Sequence, residues 1–210
     1  MKALGMIEVY GFPTAVRVAD IAAKAADVKV IAFDRNRPFG KFPVPLIMQV
    51  KIEGNVSAVQ SAIDAAVAYS KSIDMYIVSH VIPNPMDEVD KMAYKLDMNK
   101  DKYNKKLPKN FMGVETPDID SKEAIGLVEV DGLVASIVGL DAMLKAADVR
   151  LIHSEKRLGG RLVTFIVAGS ISAVKAAVDA GKPAASTLGK VYGDEIIANP
   201  HNEIMKFFDI

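Results

Sequence analysis

Apolar positions along the chain switch between two periods. Residues 3–9, Ala3-Leu4-Gly5-Met6-Ile7-Glu8-Val9, form a short apolar run that stops at Gly11, the pattern of a strand buried in a core. Over 13–26 the period becomes helical, with Val16, Ala19, Ala23 and Ala26 on one face. Pro13 suits the first turn of that helix, where its missing N–H leaves no hydrogen bond unmade. Val28 to Phe33 reads as a strand, and a loop leads to another at 46–52 that closes at Gly54. Asn55 is placed to cap a helix over about 55–70, its side chain meeting the free N–H groups of the first turn. The last strand runs into Val81-Ile82-Pro83-Asn84-Pro85, where proline removes the donor a ladder needs.

This order then repeats. Ala124-Ile125-Gly126-Leu127-Val128-Glu129-Val130 restates the opening at an offset of 121 residues, and Lys145-Ala146-Ala147-Asp148-Val149 restates Lys24-Ala25-Ala26-Asp27-Val28. The equivalent helix face is expected at Ile137, Leu140, Leu144 and Ala147. Strands follow at 149–153 and 162–168, then a helix over about 170–180 capped by Ser170. The final strand ends at Ile196-Ile197-Ala198-Asn199-Pro200. Beyond the central loop the offset drops to 115, so the first copy's loop is longer by six residues. A repeat of this length is too long for a solenoid unit and fits two copies of one small domain. The expected boundaries are 1–96 for the first domain, ending in a short helix at 86–96, then 97–123 and 124–210. The middle stretch is lysine-rich (Lys100, Lys102, Lys105, Lys106, Lys109) and then acidic (Glu115, Asp118, Asp120), the composition of a solvated tether.

Composition narrows the chemistry. Lys+Arg and Asp+Glu both number 26, so no net basic field draws the chain to nucleic acid or an acidic membrane. There is no cysteine, which excludes disulfides, thiolate metal ligands and cysteine nucleophiles. No apolar run approaches the ~18 residues of a membrane span, and Glu8 interrupts the start where a signal peptide is apolar; a cytoplasmic location is expected. His80, His153 and His201 are scattered without ligand spacing and are expected to be structural or exposed. The ten methionines read as core filler. No nucleophile–base–acid set or phosphate loop converges, so neither enzymatic activity nor a cofactor is expected.

Taken together, the two openings, Asp20-x-x-x-Lys24 with Asp141-Ala142-Met143-Leu144-Lys145, Leu162-Val163-Thr164, and the closing Pro83-Asn84-Pro85 and Asn199-Pro200-His201 resemble the bacterial microcompartment shell-protein domain, present twice in its usual strand order. The resemblance implies an α/β (α+β) chain of two tandem ferredoxin-like βαββαβ domains. It further implies a structural shell protein that forms a pseudohexameric homotrimer, tiles into the shell and leaves a central pore for metabolites. Other shell proteins, encapsulated enzymes and small metabolites are the implied partners, with no nucleic acid and no membrane. Certain tandem members hold an iron–sulfur cluster through a loop cysteine; Arg37-Pro38-Phe39-Gly40-Lys41-Phe42 has none, so that role does not carry over. Many members have arginine between the last prolines, where this chain has Asn84, and Asn199 stands at the matching place. The competing class is a trimeric small-ligand regulator, because ferredoxin-like domains also serve as sensors.

Carried onto this chain, the resemblance makes two sets of site residues. Pore lining falls to Pro38, Phe39, Gly40, Lys41 and Phe42 in the first loop and to Arg157, Leu158, Gly159, Gly160 and Arg161 in the second. Arginines repeated around a threefold axis would favour anions or polar neutral metabolites. Edge contacts fall to Asp20, Lys24, Asn84, Asp141, Lys145 and Asn199. Each lysine follows its aspartate by four residues on a helix, a solvated pair contributing about 0.3–0.5 kcal/mol. Alanine at either lysine should then cost under about 0.5 kcal/mol of stability.

Overall fold

The computed structural model describes residues 2–36, 42–87, 89, 93–94, 97–98, 123–155, 158–159 and 161–208. The chain divides into two compact units, residues 1–101 and 102–210. Most of the 97–123 stretch, with all the lysines and acids named in it above, lies outside the described residues.

In the first unit, β1 (Ala3–Tyr10), α1 (Phe12–Ala25), β2 (Lys29–Asn36), β3 (Ile47–Gly54), α2 (Val56–Ser72) and β4 (Tyr76–Ile82) follow in the expected order. The strands form one antiparallel sheet in the order β2-β3-β1-β4. Glycine at Gly5 is explained by packing: a Cβ there would lie 2.7 Å from Val59 Cγ1 and 3.0 Å from Ile63 Cγ1, so α2 sits close against β1. The odd-numbered residues of β1 therefore face the helices and the even-numbered ones the opposite, far side. Asn55 caps α2 by accepting from the N–H of Ala58 at 2.8 Å, and Pro13 lies in the first turn of α1. Of the segment after β4, Asp87, Val89, Ala93 and Tyr94 are helical. Val89, Ala93 and Tyr94 join a cluster with Leu4, Met6, Ile31 and Ile82.

The second unit repeats this plan with β5 (Ala124–Asp131), α3 (Leu133–Ala146), β6 (Val149–Glu155), β7 (Leu162–Gly169), α4 (Ile171–Ser186) and β8 (Val191–Ile197). Its antiparallel order is β6-β7-β5-β8. Gly126 answers Gly5: a Cβ there would be 2.8 Å from both Val174 Cγ1 and Val178 Cγ2. α4 runs to Ser186, past the expected end near 180 and through Pro183. The unit closes with α5 (Asn202–Met205) and a 3-10 turn at Lys206–Phe208.

One expectation is corrected. The first helix does bury Val16, Ala19 and Ala23, but on α3 Ile137 and Leu144 point outward, 53% and 42% exposed. The buried stripe is Ala135, Ser136, Gly139 and Met143. Gly139 and Gly181 set this rotation. A Cβ on Gly139 would lie 2.9 Å from Ala185 Cβ, and one on Gly181 2.3 Å from Met143 Cγ, so α3 and α4 meet through their small residues. α3 is apolar nearly all round, and a period alone cannot choose which side turns inward.

Candidate functional site

The two aspartate–lysine pairs share one geometry in opposite surroundings. Lys24 Nζ donates to Asp20 Oδ2 at 2.7 Å, and Lys145 Nζ to Asp141 Oδ2 at 2.6 Å, each one helical turn apart. Asp20 is fully buried and also faces Arg17, whose Nη1 is 3.6 Å from Oδ2. The Asp141 side chain is 58% exposed. A carboxylate taken out of water depends on its cations, whereas a solvated pair contributes little. Lys24 is therefore more than a solvated surface lysine: it also holds a buried charge. Asn84 and Asn199 are both exposed in the turns after β4 and β8, and Asn199 adopts φ 46, a left-handed conformation that asparagine tolerates.

Of the loop residues, Pro38, Phe39, Gly40, Lys41, Arg157 and Gly160 lie outside the described residues. Phe42 is half in solvent and tilted against Tyr10, ring centroids 6.4 Å apart. In the second loop Leu158 is buried, so it anchors the loop. Gly159 has φ 81, and the N–H of Leu162 donates back to its carbonyl at 3.1 Å. Arg161 is also left-handed, at φ 69, its carbonyl held by the N–H of Gly132 at 2.9 Å. Its side chain stands largely in water with Nε 3.5 Å from Asp131 Oδ1, so part of its charge is already answered within the chain.

Several polar clusters have no counterpart in the sequence reading. Across the far side of the first sheet, Glu8, Gln49 and Asp34 are successive cross-strand neighbours; in the second sheet the same row is Glu129, Thr164 and Glu155, all buried. Lys51, itself buried, reaches Asp34 Oδ2 at 3.7 Å and the carbonyl of Ala93 at 3.4 Å. Beside it Glu53 accepts from Tyr94 Oη and from Lys2 Nζ. Burial pushes the Glu53 carboxyl upward, but the Tyr94 and Lys2 hydrogen bonds and the charges of Lys2 and Lys29 outweigh it, leaving its pKa below the ordinary value. In the second unit Glu123 binds Arg150 through both oxygens, and this hydrogen bonding raises the arginine's pKa. His153 lies 3.5 Å from Glu155 and against Phe208, His201 Nδ1 accepts from the N–H of Glu203 at the start of α5, and His80 is exposed. None of these clusters brings a nucleophile to a base.

The family profile of the BMC domain matches residues 3–85 and again 124–200. The chain is 32% identical over 203 residues, 97% of its length, to the carboxysome assembly protein CcmO of Synechococcus elongatus, spanning 67% of that protein. Over 85 residues, 40% of the chain, it is 48% identical to the bacterial microcompartment shell protein PduA of Salmonella typhimurium, covering 89% of it. Over 88 residues, 42% of the chain, it is 44% identical to the bacterial microcompartment shell protein EutM of Escherichia coli, covering 90% of it. A solved microcompartment protein from Desulfitobacterium hafniense aligns with 98% of the chain and 99% of its own at 23% identity and a TM-score of 0.40.

Proposed function

The chain belongs to the BMC domain family and has a structural role in a microcompartment shell, and from that premise we propose that it closes into a homotrimer, tiles the shell beside other shell proteins and leaves a pore on its axis. The observation that carries this reading is the doubling: two units of one topology in one chain, each matching the family across almost its whole fold. Three such chains supply six like units, and contacts between unlike surfaces close when their rotation divides a full turn. Residues 1–96 and 124–210 are the two shell domains in this proposal, with 97–123 joining them. The role is one of assembly and passage, without catalysis, in the cytoplasm.

Lys145 and Lys24, with Asn84 and Asn199, form the lateral edges. Each contact is weak alone but is repeated around every ring and multiplied across a sheet. The loops carrying Phe42, Gly159 and Arg161 frame the pore, with Pro38 to Lys41, Arg157 and Gly160 completing it. Asp131 beside Arg161 tempers the anion preference that the arginines impose. Electron microscopy of the purified chain tests the tile: extended sheets with hexagonal spacing are expected, and sheets should be lost in Lys145→Ala. Dispersed particles under every condition, or sheets unchanged in that variant, would contradict the edge assignment.

A further inference from the structure

The two repeats leave opposite surfaces open. On α3 the sector facing away from α4 carries Leu133, Val134, Ile137, Asp141, Leu144 and Lys145, and its apolar members are 42–68% exposed. The same sector of α1 is Phe12, Pro13, Val16, Asp20, Ala23 and Lys24, and within the single chain all of these but Lys24 are buried. Buried Asp20 beside solvent-exposed Asp141 is one symptom of this difference. The apolar area on α3 extends to Leu188, 60% exposed, because the adjoining Gly189 lies against Asp131 and Ala135.

The far side of the sheets shows the reverse. In the second unit Leu127, Glu129, Leu162 and Thr164 are shut away from water. At the matching positions of the first unit Met6, Glu8, Ile47 and Gln49 are only half-buried, with Tyr10 half-buried beside them and Val78 half exposed on β4. One copy of each surface is thus covered and one is open, and the open pair belongs to different units. A contiguous apolar patch rimmed by charge marks an interaction site. The covered copies show that this sequence already shapes both surfaces to be enclosed.

We propose that the open sector of α3 seats on the open far side of the first unit's sheet in a second copy of this chain. This rests on the trimer proposed above and names its contact surfaces. The contact joins two different patches, so it propagates from copy to copy and closes as a ring. On closure Asp141 takes on the buried surroundings that Asp20 has within a single chain, and the Lys145 pair becomes an enclosed one.

Two variants test it, each altering a side chain already in solvent: Ile137→Lys on α3 and Val78→Lys on β4. Circular dichroism melts check that each folds like the unaltered chain, and sedimentation at micromolar concentration reads the assembly. Each variant alone should sediment as a monomer, because every copy lacks one half of the contact. An equimolar mixture should give a heterodimer and no trimer, since the intact sector of the Val78→Lys chain meets the intact sheet of the Ile137→Lys chain. A trimer from either variant alone would overturn these surfaces while leaving the shell reading in place. A dimer from Val78→Lys alone would mean that α3 pairs with α3, and no heterodimer in the mixture would remove the proposed contact; both overturn it. An unaltered chain that is itself monomeric would instead overturn the trimer.

Discussion

α1 and α3 occupy the same place in two copies of one fold, yet one is enclosed and the other is bare. Val16 is inaccessible where Ile137 is 53% exposed, and Phe12 is buried where Leu133 faces water. The registers of the two sheets agree position for position around Gly5 and Gly126. The repeat is therefore conserved inside each unit and broken on its outside. What the fold requires stays symmetric, while what a neighbour would cover differs. In a chain built to associate head to tail, the asymmetry is where the function lies.

The largest expected effect sharpens the contrast between the far sides of the two sheets. Leu127→Ala removes a fully buried side chain and should cost about 2–5 kcal/mol. Its counterpart Met6→Ala, half in water, should cost about 1–2 kcal/mol. Urea denaturation of the two variants reads the difference; equal losses would mean that the two far sides are alike in solution.

Next, the inside symmetry can be attacked directly. Gly5→Ala and Gly126→Ala each force a methyl into a space already filled by valines of the facing helix. Both should lose about 1–3 kcal/mol and by similar amounts. A thermal melt in which only one of them suffers would show that the two helix–sheet contacts are not equivalent.

The paired lysines give a smaller and unequal effect. Lys24→Ala deprives buried Asp20 of a cation and should cost about 1–2 kcal/mol, while Lys145→Ala, whose pair stands in solvent, should stay within about 0.5 kcal/mol. Matching losses in urea would contradict the enclosure of Asp20. Lys145 is consequently the cleaner probe of assembly.

The smallest effect is a pH dependence confined to the first unit. Glu53 has its pKa below the ordinary 4.5, so its folded form binds a proton less readily than the unfolded chain. Its contribution is present above that value and is lost as the pH falls through the folded pKa. The matching position in the second unit is Ala168, which has no such term. Stability measured from pH 6 down to pH 3 should therefore fall less steeply in Glu53→Gln; an unchanged slope would show that Tyr94 and Lys2 do not hold the charge.

Most of the fold was legible in the sequence because it depends on short-range signals. The strand runs, the Asn55 and Ser170 caps and the repeated Leu-Gly-Met and Ile-Gly-Leu openings each announce their own element. The inward face of α3 was not legible from period, since Ile137 and Leu144 are as apolar as the stripe that is buried. Gly139 and Gly181 were the available signal, small residues four apart from Met143 and Ala185 on facing helices. The aspartate–lysine pairs could be found as pairs, but their different burial could not, because it depends on what covers a helix from outside. The buried row of Glu129, Thr164 and Glu155 was hidden for the same reason: each residue alone reads as an exposed strand position.

Sedimentation equilibrium of the unaltered chain at micromolar concentration tests the central claim most directly. The mass of three chains, unchanged on dilution through that range, is the predicted result. A monomer or a dimer would contradict a ring of six like units and, with it, the reading of this chain as a tile.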